Sequence, residues 1–372
     1  MTSNSVLMVV DNLRVGGIQR LALDEAYALS ERDFVITLLL LEKEYQLDDM
    51  REIDSEYFEK SNIKVICLPK TNWRKVLFTA LFIRKNKIEK AISHSAKGIA
   101  ILRVASILNM KKLKVLGYIH QLISLSDGVQ RAKRLVFFSL ATELYASSNQ
   151  FMLEISSYLK TRRIGRFLFR KKVSFDRMGV FLNRIRVQNS NSSLDNGPAA
   201  ASIIFMSRVA VWKGFGRFIQ IAGELGRDFD YVVITSRFYN NAYEVERLCH
   251  DVGARLLHGT NIARISRGTK SIHLYPTDYG PTVTHPQNIG MNVLESIALG
   301  IPSLISFEQF SSWPELANSI LVQTTDWNML DVEKKVKAIV QIPTIDLLDE
   351  SKKLEGVISI ETHVDRIVKF LN

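Results

Sequence analysis

The segment Gln287-Asn288-Ile289-Gly290-Met291-Asn292-Val293-Leu294-Glu295-Ser296-Ile297-Ala298-Leu299-Gly300-Ile301-Pro302 decides the fold. A short apolar run, Ser271-Ile272-His273-Leu274-Tyr275, precedes it across a loop that starts at Pro276, and Pro302-Ser303-Leu304-Ile305 follows it. Strand, loop, helix and strand in that order make one unit of a parallel α/β layer. A helix opening near Gly290 to Asn292 offers N–H groups and the positive end of its dipole, which suit a phosphate. Glu295 falls within the first turn or two of that helix, so it lies close to whatever the helix end binds. Its carboxylate can accept bonds from two neighbouring sugar hydroxyls.

Upstream, the same alternation runs back to Ile203–Met206 through Phe215–Leu225, Tyr231–Ile234 and Tyr243–Val252. A polar, small-residue stretch from Gln188 to Pro198 precedes it and reads as an interdomain linker. Before the linker the pattern occurs a first time. Strand-like runs at Val6–Val10, Phe34–Leu41, Lys64–Pro69, Ala91–His94 and Lys114–His120 alternate with helical periodicity after Ile18, over Trp73–Lys87 and over Gly98–Asn109. The chain therefore divides into two Rossmann-like units, 1–187 and 199–360, followed by 361–372, where Val364, Ile367, Val368 and Leu371 recur at helical spacing. Ligands of such sheets bind beyond the carboxyl ends of the strands.

The 287–302 segment resembles the donor-site signature of GT-B retaining glycosyltransferases, family 4 in particular. Gly290, Glu295, Ala298, Gly300 and Pro302 match; Gln287 stands where the family has a glutamate, and Asn288 and Ile289 replace the usual glycine and phenylalanine. Ser207-Arg208-Val209-Ala210-Val211-Trp212-Lys213-Gly214 is similar to the family's G-R-L-x-x-x-K-G. The resemblance implies a GT-B fold and retaining transfer of a sugar from a UDP- or GDP-linked donor, with no metal and no cofactor. Arg208 and Lys213 would grip the diphosphate, two cations offsetting its charge. Gly290, Met291 and Asn292 would contact the donor, Glu295 would hold the ribose, and Gln287 with His120 would hold the transferred sugar. The loop Gly16-Gly17-x-x-Arg20 would face the diphosphate and the acceptor, and His94 would face the cleft. His258, in Leu257-His258-Gly259-Thr260, matches a segment that flanks the base. GT-B enzymes commonly return a C-terminal helix to the first domain, which 361–372 would do.

Dinucleotide binding is disfavoured, because Gly16-Gly17 is not part of G-x-G-x-x-G and no acidic residue follows the second strand in a ribose-binding position. Asp228-Phe229-Asp230 spells D-x-D but joins a helix to a strand, so it reads as a surface turn. Gln287 and the altered turn Thr235-Ser236-Arg237 also fit an inactive homologue serving as a binding subunit. A sugar-nucleotide epimerase needs acid and base carboxylates, and between Thr277 and Gly290 there is only Asp278.

Charge adds a partner class. The chain carries a net +11, yet the excess sits in residues 70–114, at +11, and 131–186, at +10. There Trp73-Arg74-Lys75-Val76-Leu77-Phe78 and Arg162–Lys172 interleave cations with large apolar residues, as an interfacial segment does on anionic lipid. No nucleic-acid module is present. The expected partners are a nucleotide sugar, a saccharide or lipid-linked oligosaccharide acceptor of surface-polysaccharide synthesis, and an anionic membrane surface. No apolar run reaches the ~20 residues that span a bilayer. Val6–Val10 is a strand rather than a signal, and Cys67 and Cys249 are isolated. The expected location is cytoplasmic, peripheral at the inner face of the cell membrane.

Overall fold

The computed structural model describes residues 4–13, 16–42, 58–59, 61–110, 112–120, 128–147, 149–161, 173–190, 201–207, 209, 213–235, 241–258, 262, 270–277, 289–306 and 313–372. Among them β1 (Ser5–Val10), β2 (Val35–Leu40), β3 (Ile63–Cys67), β4 (Lys90–Ser93), β5 (Lys114–Ile119), β6 (Glu143–Ala146) and β7 (Val173–Phe175) form one sheet of order β3-β2-β1-β4-β5-β6-β7. Around it lie α1 (Gly17–Ser30), α2 (Asn72–Lys85), α3 (Ala96–Leu108), α4 (Gly128–Ser139), α5 (Asn149–Thr161) and α6 (Leu182–Ser190). A second sheet has the order β10-β9-β8-β11-β12-β13, from β8 (Ser202–Met206), β9 (Asp230–Thr235), β10 (Arg255–His258), β11 (Ser271–Tyr275), β12 (Ser303–Ser306) and β13 (Val322–Thr325). Its helices are α7 (Phe215–Leu225), α8 (Ala242–Asp251), α9 (Met291–Ala298), α10 (Met329–Gln341) and α11 (Thr344–Ile358), and α12 (Glu361–Leu371) ends the chain.

Every strand pairing within the two sheets is parallel. The central strands are buried on both faces, so their sequences read as near-continuous aliphatic runs. In each sheet the strand order reverses beside the first strand, between β1 and β4 and between β8 and β11. Such a reversal opens a crevice at the carboxyl ends, where a ligand fits. The short strands β6 and β7 carry too few residues for an alternation to show in sequence.

Two segments run between the sheets side by side. Val180 N–H donates to the Ile358 carbonyl at 2.8 Å, and Ile360 N–H donates to the Val180 carbonyl at 3.0 Å. Beyond this crossing α12 buries Val364, Ile367, Phe370 and Leu371 in the same core as Val6, Met8 and Leu23 of β1 and α1. Each such side chain contributes ~1.5–3 kcal/mol when fully buried, so the last helix is held firmly on the first sheet. Of the stretch read as a linker, Gln188 to Ser190 close α6, and 191–198 lie outside the described residues.

Candidate functional site

Two helix N-termini meet between the sheets. Gly16 caps α1 and Gly290 caps α9, and neither end has a side-chain cap. A Cβ on Gly17 would stand 3.7 Å from Met291 Cγ, so the two ends adjoin with no room to spare for more than a small side chain. Uncapped N–H groups and two convergent dipoles make this place electropositive. The start of α9 is anchored to the sheet by the Asn292 amide, which donates to the Met206 carbonyl at the end of β8. Ser296 Oγ, one turn on, bonds the buried His273 of β11 at 3.0 Å.

Lys213 precedes α7, whose cap Gly214 has φ 75°; a Cβ there would lie 1.6 Å from the Pro276 carbonyl oxygen. Only glycine permits this approach, which seats Lys213 against the end of β11. The ammonium donates to the Tyr275 hydroxyl and lies 5.0 Å from the centre of that ring. Tyr275 in turn adjoins the α9 cap, because a Cβ on Gly290 would be 3.0 Å from its hydroxyl. Lys213, Tyr275, Gly290, Met291 and Asn292 thus cluster at the carboxyl end of the second sheet, and Gly16 and Gly17 face them. Arg208 and Gln287 lie outside the described residues, as do Asp278, Ser236 and Arg237. His258 ends β10, partly exposed, on the far side of β9 from β8.

Glu295 has a neighbourhood that its place in the motif did not foretell. Its Oε1 accepts from Arg184 Nη2 at 2.6 Å and lies 3.5 Å from Arg20 Nε, so it ties α9 to α6 and α1. Arg184 is fully buried and also donates to Asp24 Oδ1 at 2.9 Å. Burial pushes the Asp24 carboxyl up, and the Arg184 and Arg20 charges only partly oppose this, leaving it at about 6. One visible signal was available: Asp24-Glu25 interrupts Leu21-Ala22-Leu23 and Ala26-Tyr27-Ala28 on a helix buried almost all round. Acids in such a helix require partners.

Glu25 finds them from two directions. Its Oε1 lies 2.7 Å from His363 Nε2 of α12, and its Oε2 lies 3.0 Å from His94 Nε2 just after β4. His363 Nδ1 reaches Asp176 Oδ2 at 2.8 Å, and Asp176 also pairs with Arg366. On the other side His94 Nδ1 is 3.2 Å from His120 Nε2, and both rings stack with Tyr118. Burial alone would raise the Glu25 carboxyl, but the flanking His94 and His363 and their hydrogen bonds hold it at about 2. Burial would lower His363, yet the charge of Glu25 and the bonds to Asp176 and Glu25 raise it to about 9. His120 is pushed down to about 3 by burial and by His94 beside it, so its ring is neutral. Among the described residues no group of three His, Cys, Asp or Glu is arranged to hold a metal ion.

The stability of the fold should vary with pH accordingly. His363 rises from an ordinary 6.5, so its contribution is complete below pH 6.5 and is lost as pH climbs through 9. Glu25 falls from 4.5, so its share is complete above pH 4.5 and is lost as pH drops toward 2. Thermal melts are expected to show a decline between pH 6.5 and 9 worth up to about 3 kcal/mol, since each tenfold change in proton affinity is worth about 1.4 kcal/mol. In His363→Gln that decline should flatten; an unchanged slope would assign it to other groups.

His94, Tyr118 and His120 form part of the wall of a cavity of about 720 Å³ beside the carboxyl ends of the first sheet. Lys75, Lys97 and Lys133 supply cations to its lining, and Ile101, Val104 and Phe137 an apolar side. The cavity is large enough for a sugar with part of a larger aglycone.

No protein-family model matches the chain, and no curated protein matches it. Solved structures do. HepE of Anabaena, in complex with UDP and glucose, superposes with a TM-score of 0.68 at 12% identity over 99% of both chains. A glycosyltransferase of Rickettsia africae gives 0.68 at 15%, covering 99% of this chain and 98% of the other. The lipopolysaccharide outer core galactosyltransferase WaaB, in its apo form, gives 0.59 at 9% over 99% of both. At such identities the likeness speaks for architecture, and together with the two parallel sheets facing one cleft it gives a plain result. The chain has the GT-B fold.

Proposed function

We propose that the protein is a glycosyltransferase that moves a sugar, with retention, from a UDP- or GDP-linked donor to a saccharide or lipid-linked acceptor of surface-polysaccharide synthesis. One observation carries this reading: the uncapped N-termini of α1 and α9 converge beside Lys213. There they would stabilise a departing diphosphate, the charge that develops as the glycosidic bond breaks. Arg208 would join Lys213 there. Glu295, with Oε1 engaged by Arg184, would offer Oε2 to the ribose. Gln287 and His120 would hold the transferred sugar, and His258 would flank the base. Front-face transfer would follow, the leaving phosphate helping to deprotonate the acceptor, with no metal or cofactor required. HepE is described with UDP and with UDP-glucose, which makes UDP sugars the first donors to try.

The test is a donor screen. Purified protein is incubated with a panel of UDP- and GDP-sugars while thermal shift and slow hydrolysis are recorded. One donor that both stabilises and is hydrolysed is expected. Stabilisation without turnover, even with lipid extract, would instead favour a binding subunit, the reading that Gln287 also admits. No response to any nucleotide would overturn the donor site.

Attachment to the inner face of the cell membrane forms part of the proposal. Among the described residues no helix is long and apolar enough to cross a membrane. On α2, however, Trp73, Leu77 and Leu81 recur every four residues and are 60%, 46% and 67% exposed. Arg74, Arg84 and Lys85 flank them, and Val104, Ile107 and Leu108 of the adjacent α3 are exposed as well. An apolar stripe bordered by cations suits an anionic bilayer surface. Wild-type protein is expected to float with vesicles containing anionic lipid. Leu77→Glu/Leu81→Glu should reduce the bound fraction at least tenfold without moving the melting temperature, since both side chains are exposed. Equal flotation with neutral vesicles would remove the membrane from the proposal.

A further inference from the structure

Buried charge networks are costly, and well-packed apolar residues in their place would often stabilise the fold as well or better. In this protein Glu25, His94, Asp176 and His363 are all buried, with the exposed Arg366 at one end of the line of contacts and the partly exposed His120 at the other. The line of contacts leads from the C-terminal helix to the cavity wall. That course sets the polarity of every hydrogen bond along it.

We propose that Glu25 is a positioning residue which, held from behind by His363, fixes through His94 the tautomer of His120 and leaves His120 Nδ1 as the acceptor nitrogen of a ring that lines the cavity. This rests on the glycosyltransferase reading, in which His120 contacts the sugar.

The carboxylate sets the order of donors and acceptors. When ionised it only accepts hydrogen bonds, so His363 Nε2 and His94 Nε2, at 2.7 and 3.0 Å, must both carry hydrogen. His363 also faces Asp176 through Nδ1 at 2.8 Å, so this ring is an imidazolium between two carboxylates, with the Tyr118 hydroxyl 3.3 Å from Nε2. Where His94 is neutral, its hydrogen on Nε2 leaves its lone pair on Nδ1. That lone pair faces His120 Nε2 at 3.2 Å, which therefore donates. A neutral imidazole that donates from Nε2 accepts at Nδ1. His120 thus meets a substrate hydroxyl as an acceptor. The stacking of His94 on Tyr118, at 4.7 Å and 7°, keeps its ring from turning out of the line, and the His120 ring lies nearly parallel to it, with centres 5.4 Å apart at 11°.

Glu25→Gln separates this role from simple packing, because it keeps shape and removes charge. His363, still protonated against Asp176, takes the amide oxygen, which turns the amide NH₂ toward His94 Nε2. Nε2 of His94 then accepts, its hydrogen moves to Nδ1, His120 Nε2 becomes an acceptor, and His120 carries its hydrogen on Nδ1. One substitution in α1 reverses the ring at the cavity wall.

Long-range ¹H–¹⁵N correlation on protein labelled at histidine reads this directly, without substrate. His120 should be the Nε2–H tautomer in the wild type and Nδ1–H in Glu25→Gln. In the donor assay Glu25→Gln should lower kcat by about tenfold or more with donor KM little changed, the scale of one hydrogen bond made in the transition state. Glu25→Asp, which keeps the carboxylate, should recover part of that loss. An Nδ1–H tautomer in the wild type overturns the proposal, and so does a folded Glu25→Gln with the wild-type tautomer. The wild-type spectrum decides even if the variant fails to fold. A reversal of His120 in a protein that turns over no nucleotide sugar would support the relay and overturn the glycosyltransferase reading.

Discussion

On the proposed glycosyltransferase reading, Lys213→Ala is expected to lower the turnover of the nucleotide sugar by about a hundred- to a thousandfold, the usual effect of losing one preorganised charge at a leaving group. The ammonium is half-buried, held over the Tyr275 ring and by its hydroxyl, so it is already aimed before a ligand arrives and acts where water screens little. Stability should change only modestly. The Tyr275 hydroxyl is one partner lost in the free protein, and a hydrogen bond made by a charged group contributes about 1.5–3 kcal/mol. A melting temperature within a few degrees of wild type, together with the kinetic loss, would fix Lys213 as a contact to the transition state. Tyr275→Phe provides the control, since it leaves the cation in place but frees its position; a smaller loss of kcat is expected. Unchanged kcat in Lys213→Ala would move the diphosphate away from the end of β11 altogether.

For stability the largest expected effect lies at Arg184. Arg184→Met should cost about 3–5 kcal/mol at pH 8, the usual result of removing one partner from a buried ion cluster. Asp24 would lose its main partner in a fully buried site, and Glu295 would lose its contact at 2.6 Å. The loss should depend on pH. Burial already holds Asp24 at about 6, and without Arg184 the carboxyl rises further and takes up a proton as pH falls. The variant should therefore recover part of its deficit between pH 8 and 5. Urea unfolding at the two pH values measures this. A deficit that is equal at both would place the cost in lost packing of the side-chain stem instead. Because Arg184 joins α6 to α9, a raised KM for the donor should accompany the loss of stability.

The cleft itself shows which information is local. Gly290, Glu295, Gly300 and Pro302 lie within one strand-helix-strand unit, so their spacing along the chain is enough to place them relative to one another. Glu295 shows the limit of that information. The motif gives its position on α9 but not its pairing with Arg184, which lies 111 residues away. Tyr275 was legible only as a strand residue, although its hydroxyl and ring seat Lys213. His94 and His120 were visible as strand-end histidines, and nothing in their surroundings along the chain pointed to a carboxylate between the first and the last helix.

Sequence alone determined the parallel, two-unit α/β architecture, because helical and strand periodicities and the glycines that break them are properties of neighbouring residues. It also determined the glycine-capped helix that opens the candidate donor site and the basic, apolar stretch that includes α2. Tertiary structure decided the rest. Only the return of α12 across the crossing at Val180 and Ile358–Ile360 brings His363 to Glu25, 338 residues apart, and so converts two acids in an apolar helix into a paired network. Burial then assigns the charges: a carboxylate at about 2 and an imidazolium at about 9 exist only where the two face each other away from water.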